Sequence, residues 1–241
     1  MKDLFSDKSE AYERYRPLYP KELVGYIESL VPRSSVVWDC GAGTGQMTRL
    51  LAPHFSRIEA TDISAQQLDE APMLPNVSYS VQSAEKTTFA DHSFDLIVVA
   101  QAIHWFDFDQ FYREVRRVLK PNGKLVITGY GLVRIDPLIN QEIDAFYHSI
   151  KNYWDPERRF LDDRYQTIPF PFYELDTPAF SYEVSWNLDH FIQYLATWSA
   201  VKKMAQKSKT GALEEFKSCL QPLWNASKVV TFPTLLRVGR L

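Results

Sequence analysis

Cysteine is scarce in this 241-residue chain, with Cys40 and Cys219 its only two. Two thiols cannot build a disulfide framework, and no His, Cys or carboxylate spacing of the zinc-binding kind accompanies them, so no metal is expected. A surplus of one charge is missing as well. With 27 basic and 30 acidic side chains the net charge is -3, which argues against nucleic acid or a membrane surface as the main partner. No apolar run approaches a membrane span, and the opening MKDLFSDKSE holds no apolar core of signal-peptide length. The expected setting is the cytoplasm. Internal repeats and long low-complexity segments are absent too. What remains is a chain with 45% hydrophobic residues, enough for one α/β domain over residues 1–241 with a sizeable core.

Its most informative stretch is VVWDCGAGTG at 36–45. Val36, Val37 and Trp38 suit a buried parallel strand, and Met47, Leu50 and Leu51 form one side of a short helix that Pro53 limits. Between them Gly41, Gly43 and Gly45 allow positive φ and let backbone approach a ligand without a Cβ in the way. The spacing is G-x-G-x-G, and Gln46 stands where the last glycine of the dinucleotide fingerprint would fall. Asp39, two residues before the first glycine, would repel a pyrophosphate and favour an ammonium or sulfonium. A second acid, Asp62, closes the next strand-like stretch at 58–62, about where such folds bind a ribose. Ser64 can cap the following helix, which leaves Asp62 for a ligand. The pattern suits an adenosine cofactor without phosphates.

Further on, residues 77–82 alternate as a third strand and 94–99 form a continuous apolar fourth. Phe108, Phe111, Val115, Val118 and Leu119 then mark a helix, with Arg113, Arg116 and Arg117 on its expected solvated face. A turn at Pro121, Asn122 and Gly123 leads into a fifth strand at 124–130. Strands alternating with helices predict a parallel sheet covered on both sides. The second half changes character. Asp136 and Pro137 begin a helix carrying Ile139, Ile143, Phe146, Ile150 and Trp154, residues 170–178 read as a proline-rich loop, and 180–186 as a strand. Two more amphipathic helices precede a last strand at 229–241, where Pro233 implies a bulge or an edge. Lysines 202, 203, 207 and 209 read as a solvated run.

The stretches DCGAGTG at 39–45, Asp62, Ser83-Ala84-Glu85 and FYREVRRVLKPNG at 111–123 resemble the class I S-adenosylmethionine-dependent methyltransferases (methyltransferase type 11 domain) over at least residues 34–130. YERYRPLYP at 12–20 and AQAIHWFD at 100–107 are similar to their small-molecule branch, which includes trans-aconitate methyltransferase-like proteins. The resemblance implies a three-layer Rossmann-like fold, with a seven-stranded, mostly parallel sheet whose last strand inserts antiparallel beside the fifth. It divides the chain into an N-terminal arm and helix (1–31), a cofactor-binding core (34–132) and substrate-side helices with the last two strands (133–241).

The implied cofactor is S-adenosyl-L-methionine. Its site is expected from Asp39, Gly41, Ala42, Gly43, Gly45, Asp62 (ribose), Ile63 (adenine), Ser83, Ala84, Glu85 and Ala100, with Tyr15 and Arg16 of the arm closing over it. Similar enzymes carry an acid where Ser83 stands, so Ser83 departs from their pattern. His104 and Trp105 follow the fourth strand, where the transferred methyl group should point. His104 could act as a general base, as a binding group or only structurally. A small-molecule acceptor, such as a carboxylate of the trans-aconitate type, is expected, and Arg158, Arg159 and Arg164 are candidates to hold it. The N/D-P-P-aromatic segment of nucleic-acid amine methyltransferases is missing after the fourth strand. Two other readings stay open at this point: a non-catalytic S-adenosylmethionine-binding regulator, and a dinucleotide-dependent oxidoreductase. The sequence does not distinguish monomer from homodimer.

Overall fold

A computed structural model describes residues 15–207 and 211–241. Residues 12–14 of the YERYRPLYP stretch and Lys209 lie outside these. Strand β1 (Val36–Cys40) runs between β2 (Arg57–Asp62) and β4 (Phe94–Ala100), with β3 (Val77–Val81) outside β2 and β5 (Leu119–Tyr130) outside β4. All four pairings are parallel. Neighbouring β1 side chains enter different layers, as the two-residue period of a strand requires. Val37 packs with Leu23, Ile27 and Leu51 of α1 (Lys21–Ser29) and α2 (Gln46–Leu51), and Trp38 with Phe111 and Val115 of α4 (Phe108–Val118). Between β2 and β3, the short α3 (Ala65–Asp69) is capped by the Ser64 hydroxyl, which accepts from the Gln67 N–H. Leu96, Ile97, Val98 and Val99 of β4 are fully buried, and each such aliphatic side chain contributes roughly 1.5 to 3 kcal/mol.

The arginines of α4 are not simply a solvated face. Arg117 donates to Glu114 at 2.6 Å, to Asp91 at 2.8 Å and to the Phe89 carbonyl at 2.6 Å, tying the helix to the loop before β4. Arg116 reaches the Pro171 carbonyl and lies over the Phe172 ring, while Arg113 is exposed. The predicted turn at Pro121 to Gly123 falls inside β5. There the register with β4 shifts between Phe94 and Leu96, so the turn bulges out without ending the strand.

The second half supplies α5 (Pro137–Ser149), α6 (Arg159–Asp162), β6 (Tyr173–Leu175), β7 (Ser181–Asn187), α7 (Leu188–Ala196), α8 (Ser199–Gln206), α9 (Ala212–Leu220) and β8 (Ser227–Arg240). As the resemblance implies, β8 lies antiparallel beside β5, from Lys124 opposite Arg240 to Tyr130 opposite Thr234. The sheet has eight strands, however, where seven are expected, because β6 forms within the stretch read as loop. Both β6 and β7 run antiparallel to β8, on its last three and first seven residues respectively. Pro233 closes the β7 ladder opposite Ser181, where a missing N–H is tolerated. Helices α5, α7, α8 and α9 pack with Trp186 and Phe232 into a separate apolar cluster beyond the carboxyl end of β5. Among the described residues no helix is long and apolar enough to cross a membrane.

Candidate active site

The glycine turn is built on the end of β2. The Thr61 carbonyl accepts from both the Gly41 and Ala42 N–H at 2.9 Å, and its hydroxyl accepts from the Trp38 indole at 2.9 Å. Gly41, Gly43 and Gly45 all adopt left-handed φ, of 74°, 57° and 75°. A Cβ on Gly41 would sit 2.7 Å from Ala102, and one on Gly43 2.8 Å from Gln67 Oε1, so the turn requires glycine for space and for conformation. Beneath it Asp39 is completely buried. Its Oδ2 accepts from the Thr48 hydroxyl at 2.5 Å, while Oδ1 has no hydrogen-bond partner among the described residues. Burial pushes this carboxyl up from 3.8 to about 7, against the lowering effect of Thr48 and with a smaller push from Asp62.

Asp62 is held by the turn it faces. Its Oδ2 accepts from the Gly43 N–H at 2.9 Å and its Oδ1 from the Ser64 N–H at 3.0 Å, fixing the carboxylate plane while leaving lone pairs on both oxygens. Ile63 is half-buried next to it. At the end of β3, the Ser83 hydroxyl donates to the Glu85 carboxylate, whose other oxygen accepts from the Asp107 N–H at 3.1 Å. An acid thus stands two residues beyond Ser83 and is held by its hydroxyl. Ala84 is buried in the core, which leaves only its backbone for a ligand.

Beyond the carboxyl ends of β4 and β5 lies a cavity of about 290 Å³. Ala100 ends β4, and the single 3-10 turn Ile103–Trp105 follows, bringing Gln101, His104 and Trp105 to the wall. His104 is 5% exposed. Burial first, and the nearby Arg158 guanidinium second, lower it from 6.5 to about 3, so its ring is uncharged at neutral pH. Opposite stand Arg16, Tyr130, Trp154, Arg158, Tyr194, Trp198, Lys202 and Lys203. Four of these are cations, and Asp155, the one carboxylate on the wall among the described residues, is paired with Lys203 at 2.6 Å. Lys202 and Lys203 are thus cavity residues of α8 and not part of a solvated loop.

The candidate arginines separate here. Arg158 lines the cavity, its Nε donating to the Tyr147 hydroxyl at 2.8 Å and its guanidinium lying over the Trp154 ring. Arg159 and Arg164 are exposed.

A model of the methyltransferase domain matches residues 38–127, the stretch that holds the turn, Asp62 and His104. A Dictyostelium discoideum protein named as a methyltransferase is 34% identical over 90% of this chain and 85% of its own length. The chain belongs to the methyltransferase family. A solved structure described as a type II methyltransferase from Anaeromyxobacter dehalogenans is 38% identical, with a TM-score of 0.87 over 94% of this chain and 98% of the other. A Saccharomyces cerevisiae protein named as S-adenosylmethionine-dependent is 22% identical over 83% of this chain and 81% of its own length.

For this methyltransferase the cofactor is S-adenosylmethionine, and the dinucleotide reading is set aside. The residues present fit it. The orphaned Asp39 Oδ1 asks for a cation, and Asp62 offers oriented lone pairs for ribose hydroxyls. The arm reaches the same region, since Gln46 on α2 donates to the Pro17 carbonyl at 3.4 Å. Its two named residues are divided, however. Arg16 donates to the Tyr130 hydroxyl and the Thr197 carbonyl at the cavity, while Tyr15 packs edge-on against His190 of α7. Of the aromatics of the second half, Trp154 lines the cavity, whereas Trp186 lies in the core cluster and Phe160 packs against Phe108. Sequence reasoning gave no role to Gln101, which lies within the 100–107 stretch, or to Tyr130 and Tyr165, which folding brings to the site.

Proposed function

We propose that this methyltransferase methylates a carboxylate oxygen of a small organic acid bound in the cavity. The observation that carries the reading is the sign of the wall, where Arg16, Arg158, Lys202 and Lys203 stand with one carboxylate among the described residues, Asp155, which pairs with Lys203, while Arg158 also pairs with Asp162 at 3.3 Å. At the reduced effective dielectric of such a site, an ion pair 4 Å apart is worth about 4 kcal/mol before desolvation. The volume sits at the small end of ligand pockets, which suits a metabolite-sized acid better than a nucleic-acid strand.

S-adenosylmethionine, when bound, supplies a methyl carbon on a sulfonium; the acceptor oxygen's lone pair forms the new C–O bond as the C–S bond breaks and its electron pair stays on sulfur. The protein's work is then positioning, which can contribute roughly 7 to 11 kcal/mol. Asp62 and the glycine turn orient one partner, Arg158 and its neighbours the other, and the rings of Trp105 and Trp154 exclude water between them. A carboxylic acid is ionised at neutral pH, so no base is needed.

The test is a panel of small mono- and polycarboxylic acids, phenols and amines with labelled S-adenosylmethionine. Methyl esters should form from one or more acids. Label appearing only in phenols or amines would overturn the reading.

A further inference from the structure

Both polar side chains that leave β4 for the cavity have their acceptor atoms occupied by the protein. Gln101 adopts a left-handed φ of 57°, and its Oε1 accepts from the Tyr130 N–H at 2.8 Å. Gly129 makes room for this, since a Cβ there would lie 2.5 Å from Gln101 Oε1 and 2.8 Å from the Tyr165 hydroxyl. The amide oxygen therefore points into the protein, and the NH2 is the end left for the cavity.

At His104 the same logic fixes a proton. Its Nδ1 lies 3.4 Å from the Tyr165 hydroxyl, which is completely buried and has no other hydrogen-bond partner among the described residues. A buried phenol that did not donate would leave its proton unsatisfied, a costly arrangement. The hydroxyl therefore donates to Nδ1, and the ring proton resides on Nε2. Around the ring stand Arg158 before α6, Tyr165 after it and Trp105 alongside, with no carboxylate among them. Trp154 adds a buried indole N–H without a partner among the described residues on the same wall.

We propose that Gln101 and His104 form a pair of uncharged N–H donors that grips the anionic group of the acceptor, with Tyr165 as the positioning residue that sets the His104 tautomer. His104 is then a binding group and not a base, and the acceptor must arrive already ionised. That last step rests on the proposed carboxylate methylation; the tautomer does not. The lowered pKa of His104 agrees, since a cationic or titrating ring is not expected between pH 5.5 and 8.

The experiment is ring-nitrogen NMR of the full chain labelled with 15N-histidine, the His104 signals assigned by their loss in His104→Ala. Expected are a protonated Nε2 and a bare Nδ1, unchanged from pH 5.5 to 8. In Tyr165→Phe the pattern should move toward protonated Nδ1, with kcat/KM on the acid substrate down at least tenfold and S-adenosylmethionine affinity unchanged. A protonated Nδ1 in the wild type, or a titration in that range, overturns the assignment even if the variant fails to fold. So does an unmoved pattern in a folded Tyr165→Phe. The expected tautomer together with a neutral acceptor in the substrate panel would instead remove the carboxylate reading and leave the tautomer standing.

Discussion

Replacing Asp39 by asparagine separates the folding cost of this buried acid from its use to a ligand. In the ligand-free protein the Asp39 carboxyl is raised from 3.8 to about 7, chiefly by burial. A raised folded value stabilises the fold at low pH, fully below 3.8, and that stability is lost as pH rises through 7. The shift corresponds to about 4 kcal/mol at most at pH 8. Asparagine keeps the shape, can still accept from the Thr48 hydroxyl, and carries no charge to desolvate. If only half of that figure is realised, about 2 kcal/mol, the variant's Tm at pH 8 should exceed the wild type's by roughly 4 to 8 °C for a chain of this size, with little difference at pH 4. Cofactor affinity should move the other way. The orphaned Oδ1 would lose its charge, and calorimetry should show S-adenosylmethionine binding at least tenfold weaker. Wild-type affinity should itself fall about tenfold per pH unit below 7, as the carboxyl takes up its proton. A variant less stable than wild type at pH 8, with unchanged cofactor affinity, would refute the reasoning and make Asp39 a purely structural acceptor for Thr48.

Asp62→Ala removes charge-assisted hydrogen bonds worth about 1.5 to 3 kcal/mol each and should weaken S-adenosylmethionine binding at least tenfold by calorimetry; wild-type affinity would detach Asp62 from the ribose. Arg158→Gln should raise KM for the acid acceptor at least tenfold with cofactor affinity unchanged, whereas Arg159→Ala and Arg164→Ala should match wild type, and equal kinetics across all three would return Arg158 to structure. Gly43→Ala, forced into a left-handed φ, should cost about 1 to 2 kcal/mol on thermal unfolding, and an unchanged Tm would show that the turn relaxes freely.

The cofactor half was legible because its signals are local. Gly41 to Gly45, Asp62 and the strands around them fall in short contiguous stretches whose period and turn chemistry are written in neighbouring residues. The cavity was legible only in part: Arg16, His104, Trp105 and Arg158 stood out as candidates, but the rest of its wall draws on scattered residues of 100–105, 130–131, 154–161 and 194–206. No window of sequence could tell Arg158 from Arg159, because the difference is which of two adjacent side chains the 3-10 turn Pro156–Arg158 aims inward. Lys202 and Lys203 looked like a solvated run because composition carries no direction. Strand β6, three residues between prolines, is too short to show a period, and it exists because β8 offers it an edge.

The length of β8 has a consequence for the order in which the molecule can be assembled. Thr128 and the Leu235 carbonyl that it bonds are 107 positions apart, whereas β1 pairs with β2 across 21 positions and with β4 across 59. During synthesis the parallel strands and the glycine turn can come together early, but the outer edge of β5 stays unpaired until residues 227–240 emerge. Ribosome-arrested chains ending before residue 227 should therefore expose that edge to protease and to one another, and gain protection abruptly once the final strand is added. The strand made after all the others is the one that joins β5 to β6 and β7.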